Sequence, residues 1–304
     1  EGFGWLARIL AHDPDAAVVI ITAHAGIGIA VEAIKSGAAD FVAKPWTNER
    51  LFATASSAAA LRQSRRNARS ERGRAVEIAT PAGETSMLGD SPAMAHVRSL
   101  MERAAPTDAN VLILGENGTG KELVARELHR RSRRSGEVMV SVDLGSVSES
   151  VFESELFGHV KGAFTDARTD RVGRLAAGNR GTIFLDEIGN LPLHLQPKLL
   201  TALERREVTP VGSNRATPLD IRVIAATNLP HDRLADEDRF RQDLLFRLNT
   251  VEIELPPLRD RKEDIPLLLR HFLHLYERRY AAPERRLPES LVTSLSGYDW
   301  PGNI

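Results

Sequence analysis

The sequence contains no cysteine and no apolar run long enough to cross a membrane. The absence of cysteine excludes disulfide frameworks and metal sites built on thiolates. The longest apolar runs, such as residues 16–21 and 111–114, fall far short of the roughly 20 residues that a membrane-spanning helix needs. The N-terminus lacks the basic-then-apolar plan of a signal peptide. We therefore expect a cytoplasmic protein with no membrane partner.

The composition favours a soluble globular protein of more than one domain. Hydrophobic residues make up 42% and charged residues 27%, which excludes fibrous and low-complexity classes. A chain of 304 residues exceeds the usual size of one hydrophobic core. The formal net charge is −1, yet six arginines stand between positions 62 and 74. This basic stretch is compatible with nucleic-acid contact, although we favour a solvated helix that runs into a linker.

The order of apolar segments predicts two α/β domains and a helical lid. Residues 1–62 are predicted to alternate helices (4–10, 27–36 and from 48) with strands (18–22 and 40–43), as in parallel α/β structure. Residues 63–85 lack apolar periodicity and predict a linker. A larger α/β domain is predicted at 86–254, with strands at 110–114, 138–142, 182–185 and 221–225. Helical spacing at 265–276 and 287–295 predicts a small lid at 255–304.

A glycine-rich loop follows the first strand of the larger domain. Strand, loop and helix stand in the order of a phosphate-binding loop, with glycines that turn backbone N–H groups inward. Because Glu122 stands where the general motif has a Ser or Thr that ligates magnesium, Mg²⁺ must be held elsewhere, through water or Asp186. Taken alone, the segment is also compatible with an ordinary glycine turn. The predicted ATP contacts are Gly115, Glu116, Asn117, Gly118, Thr119, Gly120, Lys121 and Glu122.

Two later strands end in polar pairs. The strand at 182–185 leads into Asp186 and Glu187, of which the first is predicted to coordinate Mg²⁺ and the second to polarise the attacking water. A lone pair of acids after a strand is also compatible with a helix cap. The strand at 221–225 leads to Thr227 and Asn228, which fit sensors of the γ-phosphate or an ordinary turn.

Five further segments carry a family resemblance. They are Glu-Leu-Phe-Gly-His at 155–159, Gly-Ala-Phe-Thr-Asp-Ala at 162–167, Phe-Arg-Gln-Asp-Leu-Leu-Phe-Arg-Leu at 240–248, Leu-Pro-Pro-Leu-Arg-Asp-Arg-Lys-Glu-Asp-Ile at 255–265 and Trp-Pro-Gly-Asn at 300–303. With the phosphate loop, they resemble the sigma-54 activators, the bacterial enhancer-binding proteins of the nitrogen-regulatory-protein-C type. Nearly the whole span from Met87 onwards is covered.

The resemblance implies an AAA+ P-loop ATPase that assembles from dimers into a ring, usually a hexamer, and acts on sigma-54 RNA polymerase holoenzyme. Arg241 and Arg247 resemble arginine fingers that stabilise charge at the neighbour's γ-phosphate. Without the resemblance, both are interpreted as ion-pair partners on a helix surface. The loop implied to contact sigma-54 consists of Gly162, Ala163, Phe164, Thr165, Asp166 and Ala167. Its alternative is a helical hairpin whose Phe164 packs inward.

The first segment resembles the second half of a response-regulator receiver domain. Thr22 is similar to the switch hydroxyl, Phe41 to the switch aromatic and Lys44 to the phosphate-contacting lysine, with a cis bond expected before Pro45. The phosphoacceptor aspartate would precede residue 1. A sensor-II arginine and a helix-turn-helix DNA-binding domain would follow Ile304. The resemblance thus implies a cognate histidine kinase and promoter or enhancer DNA as partners of the full-length protein.

Two positions depart from the family pattern. Asp166 replaces a usual glycine, and Asp143 replaces the asparagine that holds the catalytic glutamate away from water in this family. We therefore expect Asp143 to face Glu187. An alternative function is an ATP-binding oligomeric regulator or repressor that does not engage sigma-54, as Asp166 would allow. A small-molecule kinase or transport ATPase would leave the Phe164 loop and the paired arginines unexplained.

Overall fold

The computed structural model describes residues 2–13, 16–22, 33–59, 62, 87–146, 149–165, 167–283 and 285–304. They fall into two compact units, one within residues 1–74 and one within residues 75–304. The linker predicted at 63–85 and Asp166 lie outside the described residues. Within the described ranges, no helix combines the length and apolar character needed to cross a membrane.

The first unit contains a parallel strand pair. Helix α1 (Gly2–His12) precedes strands β1 (Val19–Thr22) and β2 (Asp40–Ala43), and helix α2 follows at 48–59. Thr22 lies opposite Ala43 in the register of the pair. Both strands and the flanking helices agree with the prediction. Of the helix predicted at 27–36, residues 33–35 are described as helical.

The second unit is built around a five-stranded parallel sheet. Its strands are β3 (Val111–Leu114), β4 (Met139–Asp143), β7 (Thr182–Asp186), β10 (Arg222–Thr227) and β11 (Val251–Glu254), in the spatial order β11-β3-β10-β7-β4. Two short hairpins, β5 (Gly158–His159) with β6 (Arg171–Val172) and β8 (Glu207–Val208) with β9 (Thr217–Pro218), lie outside it. The helices are α3 (Pro92–Ala104), α4 (Lys121–Arg130), α5 (Glu149–Phe157), α6 (Arg174–Ala177), α7 (Gln196–Arg205), α8 (His231–Leu234) and α9 (Gln242–Leu248).

Hydrophobic packing covers both faces of the sheet. All four residues of β3 are buried, as expected for a parallel strand covered on both sides. Leu112 and Leu114 join a core formed with α5, α7 and α9, while Val111 and Ile113 join a second core formed with α3 and α4. Parallel pairing places the carboxyl ends of all five strands at one edge, where ligands bind in such folds.

The lid consists of helices α10 (Ile265–Arg279) and α11 (Glu289–Ser296), as predicted within a few residues. Its buried Asp264 is joined to the start of α3: its carboxylate accepts hydrogen bonds from the backbone N–H groups of Asp90 and Ser91 at 2.6 and 2.8 Å and from Ser91 Oγ at 2.7 Å. These hydrogen bonds join the lid to the start of α3.

Candidate nucleotide site

The polar pairs that end separate strands meet at one edge of the sheet. Lys121 begins α4 directly after the loop that follows β3, Asp186 and Glu187 stand at the end of β7, and Asn228 follows β10. Lys121 Nζ lies 3.7 Å from Glu187 Oε1, and the backbone N–H of Asn228 donates to Glu187 Oε2 at 3.4 Å. The arrangement follows from parallel pairing, which places these ends side by side.

The phosphate loop has the backbone geometry of an anion cradle. Its three glycines have positive φ angles, and Gly120 stands at the N-terminus of α4. A Cβ at Gly118 would lie only 2.2 Å from the carbonyl oxygen of Gly302, so only glycine lets the loop pass this close to the lid. Successive N–H groups and the positive end of the helix dipole then favour a bound anion.

Lys121 is buried within the loop that it follows. Its side chain is 7% exposed, and its Nζ donates to the carbonyl oxygens of Gly115 at 2.9 Å and Glu116 at 3.3 Å. A cation held here by neutral carbonyls lies where phosphate oxygens would meet it. Glu122 points elsewhere: it pairs with Arg126 at 2.7 Å along the surface of α4.

The two acids at the end of β7 differ in environment. Burial raises the pKa of Asp186; the Glu187 and Asp143 carboxylates add to the shift, which the Glu187 N–H and Lys121 oppose. Glu187 adopts the left-handed conformation, with φ 53° and ψ 47°, which is strained for a residue other than glycine. Such strain is concentrated at functional sites, and here it directs the carboxylate toward Lys121 and Asn228.

Thr227 and Asn228, at the end of β10, connect this strand to the phosphate loop. Asn228 Nδ2 donates to Asn117 Oδ1 at 3.0 Å, and the N–H of Gly115 donates to the carbonyl of Thr227 at 3.3 Å. The hydroxyl of the buried Thr227 accepts from the N–H of Leu229 at 3.1 Å. Asn228 therefore touches both the loop and Glu187, as a γ-phosphate sensor would.

A mostly apolar cleft beside the loop was not predicted from the sequence. It has a volume of about 240 Å³ and lies between Gly118–Gly120 and the lid. Two buried nitrogens line it, Arg261 Nε and His271 Nε2, and neither has a hydrogen-bond partner among the residues that the structure describes. Unpaired buried polar atoms are costly, which favours a ligand with polar edges. The apolar walls include Met87, Leu88, Leu123, Leu255, Leu268 and Phe272.

The lid also bonds directly to the phosphate loop. Arg259 pairs with Glu116 through bonds of 2.6 and 2.9 Å, and Asn303 Nδ2 donates to the same carboxylate and to the Asn117 carbonyl. The hydrogen bonds from Arg259 and then from Asn303 lower the pKa of Glu116 to about 2. Glu116 is therefore ionised at neutral pH and links loop to lid.

The acids present fit Mg²⁺. Within the described part of the chain, no cluster of three or more His, Cys, Asp or Glu side chains forms a ready metal site. Mg²⁺ in nucleotide sites is usually held by one or two carboxylates together with phosphate oxygens and water. Asp186 can supply that carboxylate without a protein cage.

Comparisons with known proteins agree with this geometry. The chain matches the sigma-54 interaction domain over residues 87–254, the AAA+ ATPase lid domain over 259–304 and the response regulator receiver domain over 1–56. Transcriptional regulatory protein ZraR of Klebsiella oxytoca is 46% identical over 100% of this chain and 67% of its own length. C4-dicarboxylate transport transcriptional regulatory protein DctD of Rhizobium meliloti (strain 1021) is 42% identical, over 100% and 65%.

A solved structure shows the same fold. NtrX from Brucella abortus, in complex with ATP, is 31% identical with a TM-score of 0.67, covering 100% of this chain and 64% of that one. The chain belongs to the sigma-54-activator response regulators. The predicted resemblance and fold class are thereby confirmed. This chain spans only about two thirds of its curated relatives, 67% of ZraR and 65% of DctD.

The Phe164 loop projects from the hairpin of β5 and β6. The N–H of Gly162 donates to the Ala167 carbonyl at 2.8 Å, which closes the loop, and Thr165 is exposed. Phe164 is 45% exposed, so the inward-packed alternative is not observed. At the base, Gly158 has φ 81°, and a Cβ there would lie 2.5 Å from the Arg171 carbonyl. Asp166 lies outside the described residues.

The two candidate finger arginines lie on and beside α9. Arg241 pairs with Asp243 at 2.6 Å, and this bond raises the pKa of Arg241. Arg247 donates to the Leu203 carbonyl at 3.1 Å, and its own carbonyl accepts from Asn110 Nδ2 at 2.8 Å. Asn110 precedes β3, whereas the phosphate loop follows it. Arg247 therefore lies at the opposite edge of the sheet from its own nucleotide site.

Asp143 ends β4, directly opposite Asp186 in the register. Its Oδ1 accepts a hydrogen bond from the N–H of Gly145 at 2.9 Å. A Cβ at Gly145 would lie 3.3 Å from this oxygen and 3.8 Å from Glu187 Cβ, so both acids flank the same glycine. Among the bonds of the described residues, none is observed between Asp143 and Glu187.

We expect Asp143→Asn to lower hydrolysis in the absence of sigma-54. An asparagine can keep the bond to Gly145 through Oδ1 while its amide donates to Glu187, which an ionised aspartate cannot do. Basal and sigma-54-dependent ATPase rates should be measured on the same oligomer, with Asp143→Ala to separate loss of charge from gain of a donor. Equal basal rates for the unaltered protein and the Asp143→Asn variant at neutral pH would remove Asp143 from hydrolysis control.

The receiver positions meet at the carboxyl end of their strand pair. The N–H of Lys44 donates to the Thr22 carbonyl at 2.7 Å, and the Lys44–Pro45 bond is cis, as predicted. Phe41 is partly buried on β2. Thr22 and Lys44 are thus joined through their backbones at this end of the strand pair, and their switch roles stay predictions.

Proposed function

We propose that this chain is an ATP-hydrolysing motor that remodels sigma-54 RNA polymerase holoenzyme as part of a two-component response regulator. The observation that carries the proposal is the meeting of Lys121, Glu187 and Asn228 at one sheet edge, beside the phosphate loop. The nucleotide-bound NtrX relative supports ATP as the ligand.

Binding uses the cradle and the cleft together. Backbone N–H groups of the loop and Lys121 hold the β- and γ-phosphates, and the apolar cleft takes the base beside Arg261 and His271. Asp186 would hold Mg²⁺, which when bound neutralises charge on the phosphate oxygens.

Hydrolysis requires a base near the γ-phosphate. Glu187 Oε1 or Oε2 accepts the proton of the attacking water, with Lys121 and the Asn228 N–H orienting the carboxylate. Asn228, joined to Asn117, reports whether the γ-phosphate is present. Asp143 modulates Glu187 from the neighbouring strand.

The position of Arg247 supports a trans role for the two arginines. Arg247 cannot reach its own nucleotide, because Asn110 and Gly115 are separated by an extended strand, about 16 Å of chain. In a ring, Arg241 and Arg247 face the γ-phosphate of the adjacent subunit and stabilise the charge that develops there. A homo-oligomer, from dimer to hexamer, is therefore the working form.

The remaining partners follow from the family. The loop from Gly162 to Ala167 engages sigma-54, a cognate histidine kinase phosphorylates the complete receiver domain, and a further domain of the full-length protein binds promoter or enhancer DNA. The domain boundaries proposed are 1–62, 63–85, 86–254 and 255–304.

We expect Phe164→Ala to keep ATPase activity but to lose binding of sigma-54. Exposed aromatic residues anchor interfaces, and Phe164 offers the aromatic surface of this loop. Binding of purified sigma-54 should be measured with ADP and aluminium fluoride, which mimic the transition state. Phe52→Ala is the matched control, since Phe52 is also exposed but lies in the first unit. If the unaltered protein did not bind sigma-54, the alternative of a non-engaging regulator would be favoured and Asp166 implicated.

A further inference from the structure

The Phe164 side chain is only partly exposed, and its ring contacts the ring of His159. The rings of Phe164 and His159 meet edge to face, with centroids 4.9 Å apart and an interplanar angle of 64°. This is a favourable geometry for an aromatic pair. The contact leaves Phe164 45% exposed. Thus the ring is held on one side and open on the other.

His159 is itself held by two elements. It is 9% exposed, and its Nδ1 lies 2.6 Å from the hydroxyl of Ser154 on α5. The backbone on both sides of His159 is bonded to Val211. The N–H of Val160 donates to the Val211 carbonyl at 3.1 Å, and the N–H of Val211 donates to the Gly158 carbonyl at 2.8 Å. Whichever of the two partners supplies the proton, the bond to Ser154 fixes the plane of the imidazole.

The helix that carries Ser154 packs against the main hydrophobic core. Helix α5 contributes Phe152, Leu156 and Phe157 to the hydrophobic cluster beneath the sheet. Ser154, on the same helix, is 7% exposed and cannot meet a large partner. A chain of contacts therefore runs from the core through Ser154 and His159 to Phe164.

We propose that Ser154 and His159 are positioning residues that orient the Phe164 ring toward sigma-54. The inference rests on the proposed function, in which sigma-54 binds this loop. A ring that is already oriented loses less rotational freedom when a partner immobilises it, which raises affinity. His159 therefore raises the affinity for sigma-54 by orienting Phe164, without contacting sigma-54 itself.

The first experiment separates loop order from partner binding. Because the chain contains no cysteine, a single Thr165→Cys substitution can carry one nitroxide spin label. We expect His159→Ala to increase label mobility in the absence of sigma-54. Lys161→Ala is the matched control: Lys161 is exposed, and its bond to Asp170 uses the backbone N–H, which alanine retains.

The second experiment measures sigma-54 affinity with ADP and aluminium fluoride in otherwise unaltered protein. His159→Ala should weaken binding about tenfold, or ~1.4 kcal/mol, with ATPase activity unchanged within about twofold. His159→Phe keeps an aromatic edge but leaves the buried Ser154 hydroxyl unpaired, so it should recover only part of the loss. The double variant Ser154→Ala with His159→Phe removes the unpaired hydroxyl but still lacks the bond that fixes the ring, so it should bind better than His159→Phe and less well than the unaltered protein.

The outcomes are distinct. Binding by the unaltered protein, with equal binding and equal label mobility for His159→Ala, would overturn the positioning role and leave the proposed function standing. If His159→Phe and the double variant both bound no better than His159→Ala, the positioning role would also be overturned, since an aromatic ring at 159 would then contribute nothing to the affinity. Failure of the unaltered protein to bind sigma-54 at all would overturn the proposed function, and this inference with it.

Discussion

Replacing Lys121 with alanine is expected to abolish ATP binding. The substitution deletes the cation that would contact the β- and γ-phosphates and leaves the carbonyls of Gly115 and Glu116 without their donor. Titration calorimetry with ATP measures the effect directly. An affinity that stays within about threefold, a difference of only ~0.7 kcal/mol, would contradict the phosphate-cradle assignment.

Two controls distinguish loss of the charge from loss of packing or folding. Lys121 is buried, so alanine also removes packing volume. Lys121→Met retains most of that volume without the charge and should lose ATP binding equally. Lys161→Ala removes an exposed lysine outside the nucleotide site and should bind ATP normally. If methionine restored ATP binding, packing rather than charge would explain the alanine result.

The sequence strongly predicts the strands that position the site. Apolar residues that are buried on both faces, such as Val111–Leu114, have few alternatives to a central parallel strand. Once strands are parallel, the residues after each one must meet at the carboxyl edge, which is why Lys121, Glu187 and Asn228 could be grouped without a structure. The order of strands and polar residues along the sequence was therefore enough to predict much of the candidate site.

What the sequence did not reveal depends on distant contacts. Strand Val251–Glu254 alternates apolar and acidic residues at the sheet edge, and the two-residue strands of both hairpins are too short for a periodic signal. The cleft exists only because the lid folds back onto the loop, bringing His271 near Gly118. Such placements follow from tertiary packing.

Arg222 illustrates the same limit in a single residue. Arginine at the start of a strand is usually exposed, yet Arg222 is 0% exposed. Its guanidinium donates to the carbonyls of Ala104 and Ala105 at 2.9 and 2.8 Å, which end α3. Free carbonyls at a helix end need such donors, so this buried charge is compensated. Nothing in the adjacent sequence indicates that partner.

Arg247→Ala should remove hydrolysis while leaving ATP binding and folding intact. An arginine finger is typically worth ~10³–10⁵ in rate, because the guanidinium offsets charge that develops only during phosphoryl transfer. The loss should appear in steady-state turnover, with ATP affinity nearly unchanged. Arg233→Ala, at another exposed arginine of the same subdomain, is the control and should hydrolyse ATP normally. Loss of ATP binding in Arg247→Ala would point to a structural role through the Leu203 carbonyl instead.

Mixing subunits tests whether the arginine acts on a neighbour. Arg247→Ala subunits keep Glu187 but supply no finger, while Glu187→Gln subunits supply a finger but lack the base. Each is inactive alone, yet an interface that combines them in one of its two orders contains both Glu187 and Arg247. Mixtures should therefore regain part of the activity, with a maximum at intermediate ratios. The distance along β3 between Asn110 and the phosphate loop leaves no cis route for this recovery. Inactivity at every mixing ratio, in oligomers shown to exchange subunits, would refute the trans arrangement.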